Sequence, residues 1–249
     1  MKAHRLAIVT GASAGIGEAT ARRLDRDGWK LLLVARRGDK LEKLAGELSD
    51  ASVLALDLTD EDAPARVFEQ AEREGALHLL VNNAGGAWRA EFGDAEGGWE
   101  NVRRTMELNF DSVLRLTEAL LPLLRRSAPS SIVNVASTAG RVARPGVGAY
   151  SASKFALAGW SDALHLEEKR HGVHVGTVLP GFIATEGFPQ TQLVRKPHTR
   201  WIVSTPEKAA EAIMDAGPGG KAERYVPRAY GLIAVVRATL PAVLRRATG

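Results

Sequence analysis

The sequence predicts an α/β protein, a doubly wound parallel sheet of about seven strands with helices on both faces. Three observations carry this. Short apolar runs alternate with longer helical patterns from end to end, as repeated strand–helix–strand units require. Several runs are apolar at nearly every position, the mark of strands covered on both faces. A chain of 249 residues with 45% apolar content is enough for one large core. Residues 1–249 therefore read as a single domain, with no repeat, low-complexity tract or linker.

The elements follow in order. Strand 5–10 (RLAIVT) runs into glycines 11, 15 and 17 and a helix over 17–27, and strand 30–35 (KLLLVA) precedes a helical pattern at 39–49. Strand 52–56 (SVLAL) leads to helix 62–74, and strand 77–82 (LHLLVN) to a long helical stretch at 99–126. Strand 131–136 (SIVNVA) precedes helix 149–170, and strand 174–179 (HVGTVL) precedes helix 205–216. There Thr205-Pro206 supplies a cap and a proline at the first helical position. A short run at 224–227 (RYVP) is the last strand.

Composition narrows the function. Lys plus Arg is 33 against 29 Asp plus Glu, a net +4, and the charges are interspersed rather than blocked, which argues against nucleic acid as the main partner. The chain has no cysteine, so disulfides, thiolate catalysis and cysteine-ligated metals are excluded. The start, MKAHRLAIVTG, lacks the apolar core of a signal peptide. The most apolar stretch, 231–244, is interrupted by Arg237 and Pro241, short of the roughly 18–20 residues of a membrane span. A soluble, cytoplasmic protein is expected.

In such sheets ligands bind beyond the carboxyl ends of the strands. After the first strand, TGASAGIG places Gly11, Gly15 and Gly17 before a helix. Glycine allows close backbone approach, and a helix N-terminus offers unpaired N–H groups to a pyrophosphate. The second strand ends in Arg36 and Arg37, with no acid before Asp39. Arginine there suits a 2′-phosphate better than a free ribose hydroxyl, and Ser13 offers a hydroxyl from the glycine turn. The third strand ends at Asp57-Leu58 and the fourth at NNAGGA, with Asn83, Ala84 and Gly85. Asn109 sits inside a long helical pattern, where asparagine is unfavourable unless its amide has a task. Ser137 follows the fifth strand, and Pro180, Gly181, Ile183 and Thr185 follow the sixth. Tyr150 and Lys154, four positions apart, share one helix face among small neighbours.

This ordered set, TGASAGIG at 10–17, Asp57, NNAG at 82–85, Asn109, Ser137, YSASK at 150–154 and PGFIAT at 180–185, resembles the short-chain dehydrogenase/reductase family over residues 5 to about 227. The resemblance implies a Rossmann-type sheet, a nicotinamide cofactor, and hydride transfer at a ketone or secondary alcohol carbon. It implies a catalytic tetrad of Asn109, Ser137, Tyr150 and Lys154. It also implies cofactor contacts at Gly11, Ser13, Gly15, Ile16, Gly17, Arg36, Arg37, Asp57, Leu58, Asn83, Ala84, Gly85, Tyr150, Lys154, Pro180, Gly181, Ile183 and Thr185. Lys154 is implied to bond the nicotinamide ribose, and Asn109 to position a relay water.

A cation at roughly 4 Å favours a phenolate by about 4 kcal/mol at an effective dielectric of about 20, so Lys154 is expected to lower the Tyr150 pKa by up to ~3 units. Ser137 is expected to hold the substrate oxygen. The arginines favour NADP (NADPH), with Arg36 the main contact; NAD in the same fold is the alternative, and a non-catalytic cofactor sensor is the reading from another class. Trp88, Val142, Phe182, Phe188, Leu193 and Trp201 are candidate linings of an apolar pocket for a small carbonyl or alcohol substrate. Residues 186–204 are expected to form a lid, with Arg195, Lys196, His198 and Arg200 read first as a solvated basic loop. The extension 228–249 is expected to cover the pocket, meet a second subunit or touch a membrane surface. A homodimer or homotetramer is implied by the resemblance.

Overall fold

The computed structural model describes residues 5–186, 202–242 and 246. Its strands are β1 (Leu6–Thr10), β2 (Lys30–Ala35), β3 (Ala51–Ala55), β4 (Leu77–Asn82), β5 (Ser130–Val135), β6 (Val173–Pro180), β7 (Phe182–Ile183), β8 (Val203–Ser204) and β9 (Glu223–Val226). Its helices are α1 (Gly15–Arg26), α2 (Gly38–Ala45), α3 (Ala63–Glu74), α4 (Trp99–Met106), α5 (Ser112–Arg126), α6 (Gly148–Glu168), α7 (Pro206–Ala216) and α8 (Gly231–Thr239). Seven strands form one sheet in the order β3-β2-β1-β4-β5-β6-β9. Every neighbouring pair is parallel.

Alternate side chains explain why the strands read as continuously apolar. In β1, Ala7 and Val9 face one core with Leu24 of α1, Leu41 of α2 and Ile213 of α7. Leu6 and Ile8 face the other, with Val67 of α3 and Leu116 and Leu120 of α5. The central strands are thus buried on both sides, as period-two alternation between two helical layers requires, while the edge strands β3 and β9 are only partly covered. The strand order reverses between β1 and β4, and the crevice at that switch point is where such sheets take ligands.

Three details depart from the sequence reading. The stretch 99–126 is not one helix, because a π-helical turn, Glu107–Asp111, separates α4 from α5 and contains Asn109. Helix α2 stops at Ala45 with Gly46 at its end, short of residue 49. A two-stranded pair, β7 with β8, was not expected, since two-residue strands carry no periodicity. It brackets the segment 187–201, so most of the expected lid lies outside the described residues, together with Phe188, Leu193, Arg195, Lys196, His198, Arg200 and Trp201.

Helix α7 begins as its cap predicts, with the Thr205 hydroxyl accepting from the Lys208 N–H at 3.4 Å. The start of the C-terminal extension covers the end of β6. A Cβ on Gly181 would fall 1.9 Å from Tyr230 Cε2, and the Tyr230 hydroxyl donates to the Ile202 carbonyl at 2.9 Å. Beyond it, Leu232, Val235 and Leu240 are exposed. No helix among the described residues is long and apolar enough to cross a membrane.

Candidate active site

The glycine turn after β1 is locked from beneath. The Thr10 hydroxyl donates to the Val81 carbonyl and accepts from the N–H groups of Asn83 and Ala84 at 2.9 and 3.0 Å. The Asn83 amide donates to the Thr10 carbonyl at 2.9 Å. Asn83, just after β4, thus ties that strand end to the turn. Gly11 has φ of +65°, a conformation costly for any residue with a side chain. Helix α1 has Ala14 as its N-cap with no side-chain capping bond, which leaves its first N–H groups for a ligand.

Gly17 packs inside the turn, where a Cβ would stand 2.2 Å from the Gly11 carbonyl oxygen. Gly17→Ala is expected to destabilise the fold by ~1–3 kcal/mol, read as a lower midpoint in chemical denaturation. An unchanged midpoint would contradict this packing.

Above the turn lies a cleft of about 520 Å³, a size ordinary for a bound organic ligand. It is lined by Gly11, Ser13, Gly15, Ile16, Arg36, Arg37, Asp57, Leu58, Asn83, Ala84, Gly85 and Thr185, which the sequence named. It is lined also by Ala14, Ala35, Leu56, Leu108 and Glu186, which it did not. The bare helix end, the small-residue lining and the two arginines fit a dinucleotide. Six named residues are not part of that lining, and two of them, Tyr150 and Lys154, are on α6. Gly17 is inside the turn, Gly181 is under Tyr230, Ile183 is buried in the core on one sheet face, and the Pro180 carbonyl accepts from Ser137.

The two arginines differ. Arg37 donates twice to the Ser13 hydroxyl, at 3.0 and 3.2 Å, and once to the Ser13 carbonyl, so it is anchored to the glycine turn although its side chain is exposed. Arg36 keeps a single long ion pair, 3.6 Å to Asp57, with its side chain 69% exposed, so most of its donors remain free. Burial alone would raise the Asp57 carboxyl, but the Thr59 N–H and hydroxyl, with Arg36, hold it below its ordinary value. Across the same opening Lys40 pairs with Glu186 at 2.7 Å.

At the end of β5, Ser137 is buried; its hydroxyl accepts from the Ala139 N–H at 3.1 Å and donates to the Pro180 carbonyl at 3.3 Å. Tyr150 and Lys154 lie on α6, with the Lys154 ammonium 5.9 Å from the Tyr150 ring centre. The expected electrostatics are corrected here. Burial pushes the Tyr150 phenol above its ordinary value, opposed by a hydrogen bond with Ser137 and the charge of Arg144. Lys154 donates instead to the Val135 carbonyl at 2.9 Å, and its burial pulls the ammonium down to about 8. Desolvation, which opposes the charged forms of both partners, outweighs their attraction at this separation.

The Asn109 amide faces Gly86 squarely. Its nitrogen donates to the Gly86 carbonyl and its oxygen accepts from the Gly86 N–H, both at 2.8 Å. The nitrogen also donates to the Ser153 hydroxyl at 3.1 Å. A Cβ on Gly85 would sit 2.9 Å from the Asn109 oxygen and 3.5 Å from the Lys154 nitrogen. All three therefore meet at that end of the cleft. Asn109 acts on backbone through its side chain, which accounts for an asparagine inside the helical stretch.

Sequence reasoning missed Ser153, treated as a small neighbour, which braces Asn109 and donates to the Tyr150 carbonyl at 2.8 Å. It also missed the buried chain from Asn82 to Asn134 at 2.9 Å and on to Ser161 at 2.9 Å, which joins β4, β5 and α6. The polar residues within otherwise apolar runs were the signal.

Comparison with known proteins agrees with this geometry. The family model for short chain dehydrogenases matches residues 5–193. A Streptomyces coelicolor protein provisionally named a ketoacyl reductase is 37% identical over 233 residues, covering 89% of this chain and 84% of its own. The very-long-chain 3-oxoacyl-CoA reductase of Bos taurus is 30% identical over 247 residues, covering 96% of this chain and 76% of its own. A short chain dehydrogenase from Burkholderia cenocepacia, solved in complex with NADP, superposes with a TM-score of 0.80 at 28% identity, covering 98% of this chain and 97% of that one. The chain is an oxidoreductase of Rossmann type and belongs to the short-chain dehydrogenase family.

Proposed function

We propose that the protein transfers hydride between NADP and a ketone or secondary alcohol. The observation that carries this is that Ser137, Tyr150 and Lys154 adjoin one another, with Lys154 against Gly85 of the cleft that Arg36 and Arg37 also line. NADPH, when bound, supplies the hydride. The glycine turn and the α1 N-terminus would hold its phosphates, Asp57 and Leu58 its adenine end, and Arg36 its 2′-phosphate. Tyr150 gives a proton to the substrate oxygen, and the Ser137 hydroxyl, turning from the Pro180 carbonyl, donates a hydrogen bond to that oxygen as charge develops. Lys154 holds the cofactor's ribose and its charge favours loss of the phenolic proton. Asn109 fixes Gly86 and, through Ser153, the turn of α6 that carries Tyr150.

A phenol kept protonated by burial suits proton donation, the direction of reduction. A sensor without turnover has no use for this acid placed against a serine, so the enzymatic reading is preferred. The test is a screen of ketones and aldehydes following NADPH absorbance; binding of NADPH without oxidation by any carbonyl would favour the sensor.

One prediction concerns pH. Lys154 is cationic below about 8 and loses its proton as pH rises through that value. If the cation is required, kcat/KM for NADPH, which reports the free enzyme, is level near neutrality and falls above about 8. A profile that stays flat to pH ~10, near the ordinary lysine value, would contradict the role given to Lys154.

A further inference from the structure

We infer that the substrate carries an anionic group, a carboxylate or a phosphate, and that Arg144 holds it beside the catalytic phenol; this rests on the hydride-transfer reading above. Arg144 lies in the loop between the Thr138–Gly140 turn and α6, ahead of Tyr150. Its guanidinium stacks on the Phe182 ring, 5.0 Å from the ring centre. Phe182 follows Pro180 and Gly181 at the end of β6, and the Pro180 carbonyl is the acceptor of the Ser137 hydroxyl. Arg144 therefore stands on the substrate side of the serine and tyrosine, away from the cofactor cleft, whose lining does not include it.

The loop's two arginines are used differently. Arg141 is neutralised by Glu223 at 2.6 Å and also donates to the Tyr225 hydroxyl. Arg144 has no carboxylate partner among the described residues, and residues 187–201 and 243–249 contain no aspartate or glutamate side chain that could supply one. Its charge is nonetheless felt at the site. Burial raises the phenols of Tyr150 and Tyr230, and Arg144 pulls both back. A guanidinium held flat on an aromatic face keeps its edge N–H donors free, and that fork matches a carboxylate or phosphate.

The test compares matched pairs that differ in charge. Short- and long-chain 3-oxo acids are set against their methyl esters, and dihydroxyacetone phosphate against dihydroxyacetone, in the wild type and in Arg144→Gln. The wild type is expected to prefer the anion in at least one pair by about 10-fold in kcat/KM, the scale of one charge-assisted hydrogen bond. Arg144→Gln should abolish that preference while leaving the KM for NADPH unchanged, since any effect of the lost charge on the Tyr150 phenol falls on both members of a pair alike. Which pair shows the effect decides between carboxylate and phosphate. No preference in any pair, or one that survives in Arg144→Gln, overturns the inference. Calorimetric titration of the cofactor-loaded protein with the same compounds separates the two readings. Arg144-dependent binding of an anion without its reduction would overturn hydride transfer and leave this inference standing.

Discussion

Tyr150→Phe is expected to fold, to bind NADPH as the wild type does, and to lose turnover by at least about 100-fold, the lower range of a general acid–base contribution. The substitution removes one oxygen from a ring that stays in place on α6. The structural anchors near it are kept, since Ser153 bonds the Tyr150 backbone carbonyl rather than the phenol. The Ser137 hydroxyl keeps its bonds to Ala139 and Pro180. What disappears is the titratable phenol that lies against Ser137. The loss should fall on kcat, because the interaction is made in the transition state. Retained activity would remove Tyr150 from the mechanism, and a lowered denaturation midpoint would show that the phenol serves the fold instead.

Arg36→Ala should raise the KM for NADPH by roughly 10- to 150-fold, the worth of one charge-assisted hydrogen bond of about 1.5–3 kcal/mol, and leave NADH nearly unchanged. The two arginines give the experiment an internal contrast. Arg36 is largely exposed and holds only a long ion pair to Asp57, so its donors are available to a 2′-phosphate. Arg37 already spends its donors on Ser13 and braces the glycine turn that serves either cofactor. Arg37→Ala should therefore weaken NADPH and NADH together, by less for NADPH than Arg36→Ala does. A wild type that favours NADH, or an Arg36→Ala that weakens both cofactors equally, would contradict the assignment.

The seven-stranded sheet was legible because its central strands, buried on both faces, are mostly apolar, and the strand boundaries came within a residue or so. The cleft was legible for a related reason. In a parallel sheet the residues just after β1, β2, β3 and β4 must fall at one edge, and most of the named cofactor contacts lie there. The rest depended on depth and on distant pairings that local pattern does not encode. The π turn at Asn109 exists through Gly86 and Ser153, each far from it in sequence. The Tyr150–Lys154 pair was read correctly as sharing a face but wrongly in its electrostatics, since burial of both groups is set by the whole fold. Arg144 passed unnoticed because its partner, Phe182, arrives on a different strand.

On the proposed mechanism the cleft delivers hydride from NADPH to a carbonyl carbon while Tyr150 supplies the proton, and isotope transfer follows the hydride itself. With NADPH deuterated at the transferring position of the nicotinamide, and the carbonyl compound that the screen identifies, the deuterium is expected on the carbinol carbon of the alcohol product. Tyr150→Phe should transfer the same label at least about 100-fold more slowly. Alcohol formed without label at carbon, or label transfer at an undiminished rate in Tyr150→Phe, would contradict the account.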